Sequence, residues 1–103
     1  MTGISWHEIY RLLMEDPQQR DLGYRFNVAA YQMGDAVKAH VYKHYYGSEG
    51  IHAEMRIALA DVIAQAHILA LHQNLDFDVL EELGKERLYD FVKTRMMKKE
   101  ASH

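Results

Sequence analysis

Ile57-Ala58-Leu59-Ala60-Asp61-Val62-Ile63 is the stretch on which the reading of this chain turns. A carboxylate stands in an otherwise apolar helical run, and burying one is costly unless a metal, a basic partner or a helix end compensates it. Upstream, Tyr31-Gln32-Met33-Gly34-Asp35-Ala36-Val37 sets a second acid among largely apolar neighbours. Two such segments in a short chain raise the question of what their acids share.

Working outward, Phe26, Ala29, Ala30, Met33, Ala36, Val37, His40, Val41 and His44 recur at spacings of three and four. That period predicts a helix from about residue 24, or slightly earlier, to residue 46. Gly47-Ser48-Glu49-Gly50 breaks it, with Gly47 suited to a C-terminal cap. The next helix, about 51–72, is apolar around most of its circumference from Ile57 to Leu71, which makes it central rather than peripheral. Near the start, Ser5-Trp6-His7-Glu8 forms a capping box. Ile9, Leu12 and Leu13 follow at helical spacing, and Asp16-Pro17 closes that helix near residue 15. Residues 17–20 read as a loop. Asn74 and Asp76 mark a turn before a last helix, about 78–99, carrying Val79, Leu80, Leu83, Leu88, Phe91 and Val92, with a weak point at Gly84.

No alternating apolar pattern of useful length appears, so the expectation is a single all-α domain over residues 1–103, built from four helices. So short a chain has difficulty covering a nearly all-apolar helix by itself. Homodimerisation that completes the bundle is the natural solution, since two-fold assemblies are the commonest oligomers.

Composition narrows the function classes. The chain has 103 residues and no cysteine, which excludes a disulfide framework and a Cys-based zinc site and fits a reducing, cytoplasmic setting. No apolar run reaches the roughly 18 residues of a membrane span, and Met1–Trp6 lacks the features of a signal peptide. A net charge of −3 with a pI near 6.1 argues against non-specific nucleic-acid binding. The one basic cluster, Arg95, Lys98 and Lys99, suits a helix C-terminus.

On a helix, positions three or four apart share a face. Gln32 and Asp35 are so related, and Glu54, Ala58 and Asp61 continue one stripe. Two antiparallel helices presenting these stripes to each other would gather Gln32, Asp35, Glu54 and Asp61. Magnesium takes hard oxygen ligands and keeps several waters, so two or three carboxylates plus substrate phosphates suffice.

This layout resembles the MazG-like all-α nucleoside triphosphate pyrophosphohydrolases, a superfamily that includes phosphoribosyl-ATP pyrophosphatases and dimeric dUTPases. Their pattern is Glu-Glu-x-x-Glu on one helix and Glu-x-x-Asp on the next. Here YQMGDAVKA stands at the first, MRIALADVIAQAHILA at the second and LDFDVLEELGKERLYDFV at the last. The resemblance runs from about residue 24 to residue 95 and rests on apolar spacing, helix order and the Ala-Asp-Val triplet. Position by position, the family's first two glutamates fall on Tyr31 and Gln32, and the third on Asp35. The second motif's glutamate falls on Ala58 and its aspartate is retained as Asp61. Glu54, one turn before Ala58, is the candidate replacement.

The resemblance implies a MazG-like bundle, assembled as a dimer or dimer of dimers. It implies hydrolysis of a nucleoside triphosphate to monophosphate and pyrophosphate, with magnesium at Asp35, Asp61 and Glu54 polarising the phosphates. Lys38, Lys43, Lys85 or Arg87 would neutralise phosphate charge. A second reading is a catalytically silent, dimeric helical interaction module of the same fold, supported by Tyr31, Gln32 and Ala58 at glutamate positions. A third takes His40 and His44, an i, i+4 pair, as transition-metal ligands with His52 nearby; helix-end packing at a subunit boundary explains them more simply. His67 and His72 fit core packing and a helix-end charge, Trp6 an anchor for the first helix, and Tyr42, Tyr45 and Tyr46 packing or an interface. No Gly-rich phosphate loop or Ser/Cys nucleophile arrangement stands out.

Overall fold

Short polar side chains close the first turns of four of the helices. In the computed structural model, which describes residues 3–97, Ser5 Oγ accepts the Glu8 N–H at 3.1 Å and opens α1 (Trp6–Leu13). Asp16 accepts the Gln18 N–H at 3.0 Å and opens α2 (Pro17–Arg20). Asp21 accepts the Tyr24 N–H at 2.8 Å at the head of α3 (Leu22–Val41). Asp76 does the same for the Asp78 N–H, at 2.9 Å, before α5 (Phe77–Phe91). Such caps satisfy backbone donors that a helix leaves unpaired in its first turn.

The described residues are all-helical, in five α-helices rather than the four expected, and a π-helical segment, Val92–Met97, follows α5. The additional helix is α2, which occupies the expected loop. Pro17 ends one helix but also starts the next, because its fixed φ and missing N–H suit the first helical position. The division between the two long helices also differs. α3 ends at Val41, Tyr42 is a hinge with φ −99° and ψ 20°, and α4 (Lys43–His72) begins at once. Gly47 then kinks α4 with φ 72° and ψ 172°, a left-handed conformation that glycine adopts at no steric cost. The side chains of Tyr45 and Tyr46, together with Lys98, Lys99 and the rest of the C-terminus, lie outside the described residues.

α3 and α4 run antiparallel. His72 Nε2–H donates to the Arg20 carbonyl at 2.7 Å, and Arg25 Nη2–H donates to Gln65 Oε1 at 2.6 Å. Lys38 and Ala39, farther along α3, line one cleft with Glu54 and Ala58, farther back along α4. Ala36 and Ala39 on α3 and Ala58 on α4 are buried, and such small side chains let two helix backbones approach closely. Arg25 is 2% exposed, the most deeply buried polar side chain among the described residues. Its Nη1–H donates to Gln19 Oε1 at 2.7 Å, so one guanidinium ties α2, α3 and α4 together. Arg25 Nε has no partner, and burial lowers the pKa of the group. Two residues farther along α4 from Gln65, His67 is sandwiched between Trp6 of α1 (ring centroids 4.2 Å apart) and Phe77 of α5 (3.5 Å). Trp6 thus anchors α1.

Beyond these contacts the chain covers itself poorly. Its radius of gyration is 17.5 Å, within extents of 57 × 38 × 28 Å, against about 13 Å for a compact domain of this length. Its surface is 8415 Å², where a folded monomer of this mass exposes roughly 6000 Å². Leu59 and Ile63 of α4, expected at the centre of a packed unit, are about half exposed. On α3, Phe26, Met33, Val37 and Val41 form a second uncovered apolar stripe. Contrary to the expectation that no apolar run reaches membrane-span length, Glu49–His72 is a helical stretch long and apolar enough to cross a membrane, at 24 residues and mean hydropathy 1.2. Arg56 and Asp61 lie within it, and a charge at mid-bilayer costs about 2.5–3.5 kcal/mol on insertion scales.

The Arg25 contacts predict opposite outcomes for two substitutions. Gln65→Leu leaves part of a buried guanidinium unpaired and should destabilise the fold by roughly 2–4 kcal/mol. Arg25→Met removes the charge while keeping most of the volume and should cost less, or even stabilise. Urea unfolding at one fixed protein concentration measures both; equal or reversed effects would contradict the assignment.

Candidate functional site

A helix period of 3.6 places Glu54, Ala58 and Asp61 along one face of α4, and the antiparallel register sets that face against Asp35, Lys38 and Ala39 of α3. These residues and Ile57 line a cleft of about 260 Å³. Asp35 and Asp61 are half-buried, whereas Lys38 and Glu54 stand at the exposed mouth. Among the described residues, ion pairs within 4 Å form at Arg11–Glu15 (3.7 Å) and Lys85–Glu82 (2.9 Å), both away from the cleft. Three carboxylates and one ammonium therefore share the cleft without a direct salt bridge.

Among the described residues, no group of three His, Asp or Glu side chains lies close enough together to hold a metal ion, so Asp35, Glu54 and Asp61 line the cleft without converging on one point. The donor set is nonetheless that of a hard cation. Asp35, Glu54 and Asp61 offer carboxylate oxygens and no nitrogen or sulfur ligand, which suits magnesium or manganese held partly by water and phosphate. Lys38 adds a positive charge at the mouth of the cleft.

The remaining residues singled out in the sequence fall elsewhere. Gln32 is half-buried one turn before Asp35 and does not line the cleft. Lys85 and Arg87 sit on α5, which leaves the body beyond the end of α4; Lys85 pairs with Glu82 instead. Lys43 lies past the Tyr42 hinge. That hinge also separates His40, on α3, from His44, on α4, so the two no longer share a continuous helix. His72 Nε2 carries the proton given to the Arg20 carbonyl, leaving Nδ1 to accept from Gln73 Nε2 at 3.0 Å. A larger cavity of about 580 Å³ lies beside the Trp6–His67–Phe77 stack and includes Asn74, Asp76 and Asp78. Arg25, which positions α3 against α4, was not singled out in the sequence. Its one signal there is Gln65, an amide within the apolar run of α4.

No family model, no characterised protein and no solved structure matches the chain.

The cleft makes a prediction with a definite sign. Among the described residues no ion pair holds Asp61, and the cleft carries three carboxylates against the one ammonium of Lys38. Asp61→Asn reduces that excess of negative charge, so in metal-free buffer the melting temperature should hold or rise. A clear fall would mean that Asp61 compensates a positive charge and that the cleft is an ion-pair network.

Proposed function

We propose that the α3–α4 cleft binds a magnesium–nucleoside polyphosphate complex, and that the chain is a divergent MazG-like pyrophosphohydrolase-type protein whose helical bundle is completed by a second copy. The observation that carries the proposal is the gathering of Asp35, Glu54, Asp61 and Lys38 on one cleft with no ion pair among them. Asp35 and Asp61, half-buried on facing helices, would hold the cation from two sides, with Glu54 at the mouth. Lys38 would hold a phosphate oxygen as a point charge. When bound, the metal would withdraw charge from the phosphates and make a coordinated water a better nucleophile. Hydrolysis would give a nucleoside monophosphate and pyrophosphate. The half-exposed Leu59 and Ile63 and the surplus surface support a dimer.

A specific observation also favours the silent interaction module. Ala58 stands at the centre of the cleft where the family pattern has a glutamate, and no three acids form a cage among the described residues. A site so reduced retains affinity for a metal–phosphate complex more readily than it retains turnover.

One experiment separates these readings: magnesium-dependent hydrolysis of the common and oxidised nucleoside triphosphates, run beside thermal melting with magnesium, manganese and each nucleotide. A ligand at ten times its Kd contributes about 1.4 kcal/mol, or roughly 5–10 °C for a domain this size. Turnover to monophosphate and pyrophosphate that is lost in Asp61→Asn is the expected result. A metal-dependent thermal shift without turnover would support the silent module. Flat melting with no hydrolysis would overturn the metal–phosphate assignment.

A further inference from the structure

The larger cavity, beside the Trp6–His67–Phe77 stack, carries chemistry that the cleft does not use. Its walls are set by the way α4 ends. Asn74 takes a left-handed conformation, φ 56°, which asparagine tolerates better than most residues. The Asn74 N–H then donates to the Leu71 carbonyl at 3.1 Å, and the Leu75 N–H to the Ala70 carbonyl at 2.8 Å. This pair of bonds is a Schellman turn. It redirects the chain so that Phe77 comes back onto His67. The space enclosed there is about 580 Å³, within the range of small-molecule sites.

The stack decides which polar atoms a ligand can reach. Trp6 and Phe77 cover both faces of His67, at interplanar angles of 6° and 20°, so only the edge of the imidazole is left for a polar contact. Among the described residues neither ring nitrogen has a hydrogen-bond partner, and neither is sealed from the surface. His67 and Asn74 both border the cavity, and Ala70, Leu71 and Leu75 give it an apolar side.

Charge then selects the ligand. Asp76 and Asp78 border the cavity, and no lysine or arginine does. Asp76 uses one oxygen to cap α5 through the Asp78 N–H; the Asp78 carboxylate has no partner among the described residues. The N-terminus of α5 offsets only about half a charge of these two acids, so the cavity favours a cation over a phosphate or carboxylate. Among the described residues no three acids or imidazoles lie close enough to hold a metal ion, which leaves an organic cation. An ammonium group has three N–H donors and no acceptor. That complements a carboxylate, an imidazole nitrogen and an amide oxygen.

We infer that this cavity binds a primary organic ammonium ion with an aromatic or alkyl body. Asp78 and Asp76 hold the charge, His67 and Asn74 supply neutral acceptors, and the body lies against the apolar side and the stacked rings.

Trp6 is the chain's single tryptophan and borders the cavity, so its fluorescence reports occupancy. The probes are phenethylamine, 3-phenylpropionate and 2-phenylethanol, which share a phenyl body and differ in charge. They are titrated at pH 8, where an ordinary imidazole is neutral. Phenethylamine should give a saturable change at millimolar concentration, and the acid and the alcohol should bind at least tenfold more weakly. Asp78→Asn should weaken the amine roughly tenfold, as loss of one charge-assisted hydrogen bond does. Asp76→Asn, which keeps a capping side chain, should weaken it in the same direction. His67→Phe, which keeps a stacked ring but removes the nitrogens, should weaken it severalfold. The comparison of the three probes on the wild-type chain stands whether or not a variant folds. Equal binding of all three, no saturable response to the amine, or amine binding that neither aspartate variant weakens would overturn the ammonium site.

Discussion

The structure depends on how one buried cation is held. Arg25 lies under the α3–α4 interface, and removing a guanidinium from water costs several kcal/mol before any contact is made. Its two amide partners, Gln19 and Gln65, stand on different helices and offset part of that cost with charged hydrogen bonds. A slide of α3 along α4 by one turn would break the Gln65 bond and strand the charge. The register that satisfies Arg25 is the one that packs Ala36 and Ala39 close to α4 and aligns Asp35 and Lys38 with Glu54 and Asp61. The cleft thus depends on packing about 15 Å away along α3, from Arg25 to Asp35, and about 6 Å along α4, from Gln65 to Asp61, at 1.5 Å rise per residue.

Local rigidity and global incompleteness coexist in this chain. The Arg25 clamp and the His67 stack meet α4 two residues apart, at Gln65 and His67, and together fasten α1, α2, α3 and α5 to the same end of it. Away from that end, apolar faces of α3, α4 and α5 remain uncovered. Such faces are too many and too continuous to be scattered surface hydrophobes. In the proposed dimer a symmetric partner would cover several at once, and assembly would supply the stability that one chain's small core does not.

Much of this was legible in the sequence, for definite reasons. Helical periodicity is a local property, so the all-α class and the Ser5, Asp76 and Gly47 boundary signals could be read directly. The approach of Asp35 to Glu54 and Asp61 follows from that period once α3 and α4 are antiparallel. α2 is not legible in the sequence because Pro17 signals the end of one helix as readily as the start of the next. Arg25 escaped because a charge gives no local sign of burial; its partners lie 6 and 40 residues away. Lys85 and Arg87 belonged to a predicted helix that exists, but the direction in which α5 leaves α4 is a tertiary matter, and it carries them out of the cleft. His40 and His44 depended on a continuous helix that Tyr42 interrupts.

The most direct test of this account is the separation across the cleft, read by electron paramagnetic resonance between spin labels on Lys38→Cys and Glu54→Cys, diluted with unlabelled chain. With Arg25 and Gln65 intact, a single short separation with a narrow distribution is predicted. With Gln65→Leu added, the distribution should broaden or shift as α3 loses its register on α4. A narrow distribution unchanged by Gln65→Leu would contradict the claim that the buried arginine sets the cleft.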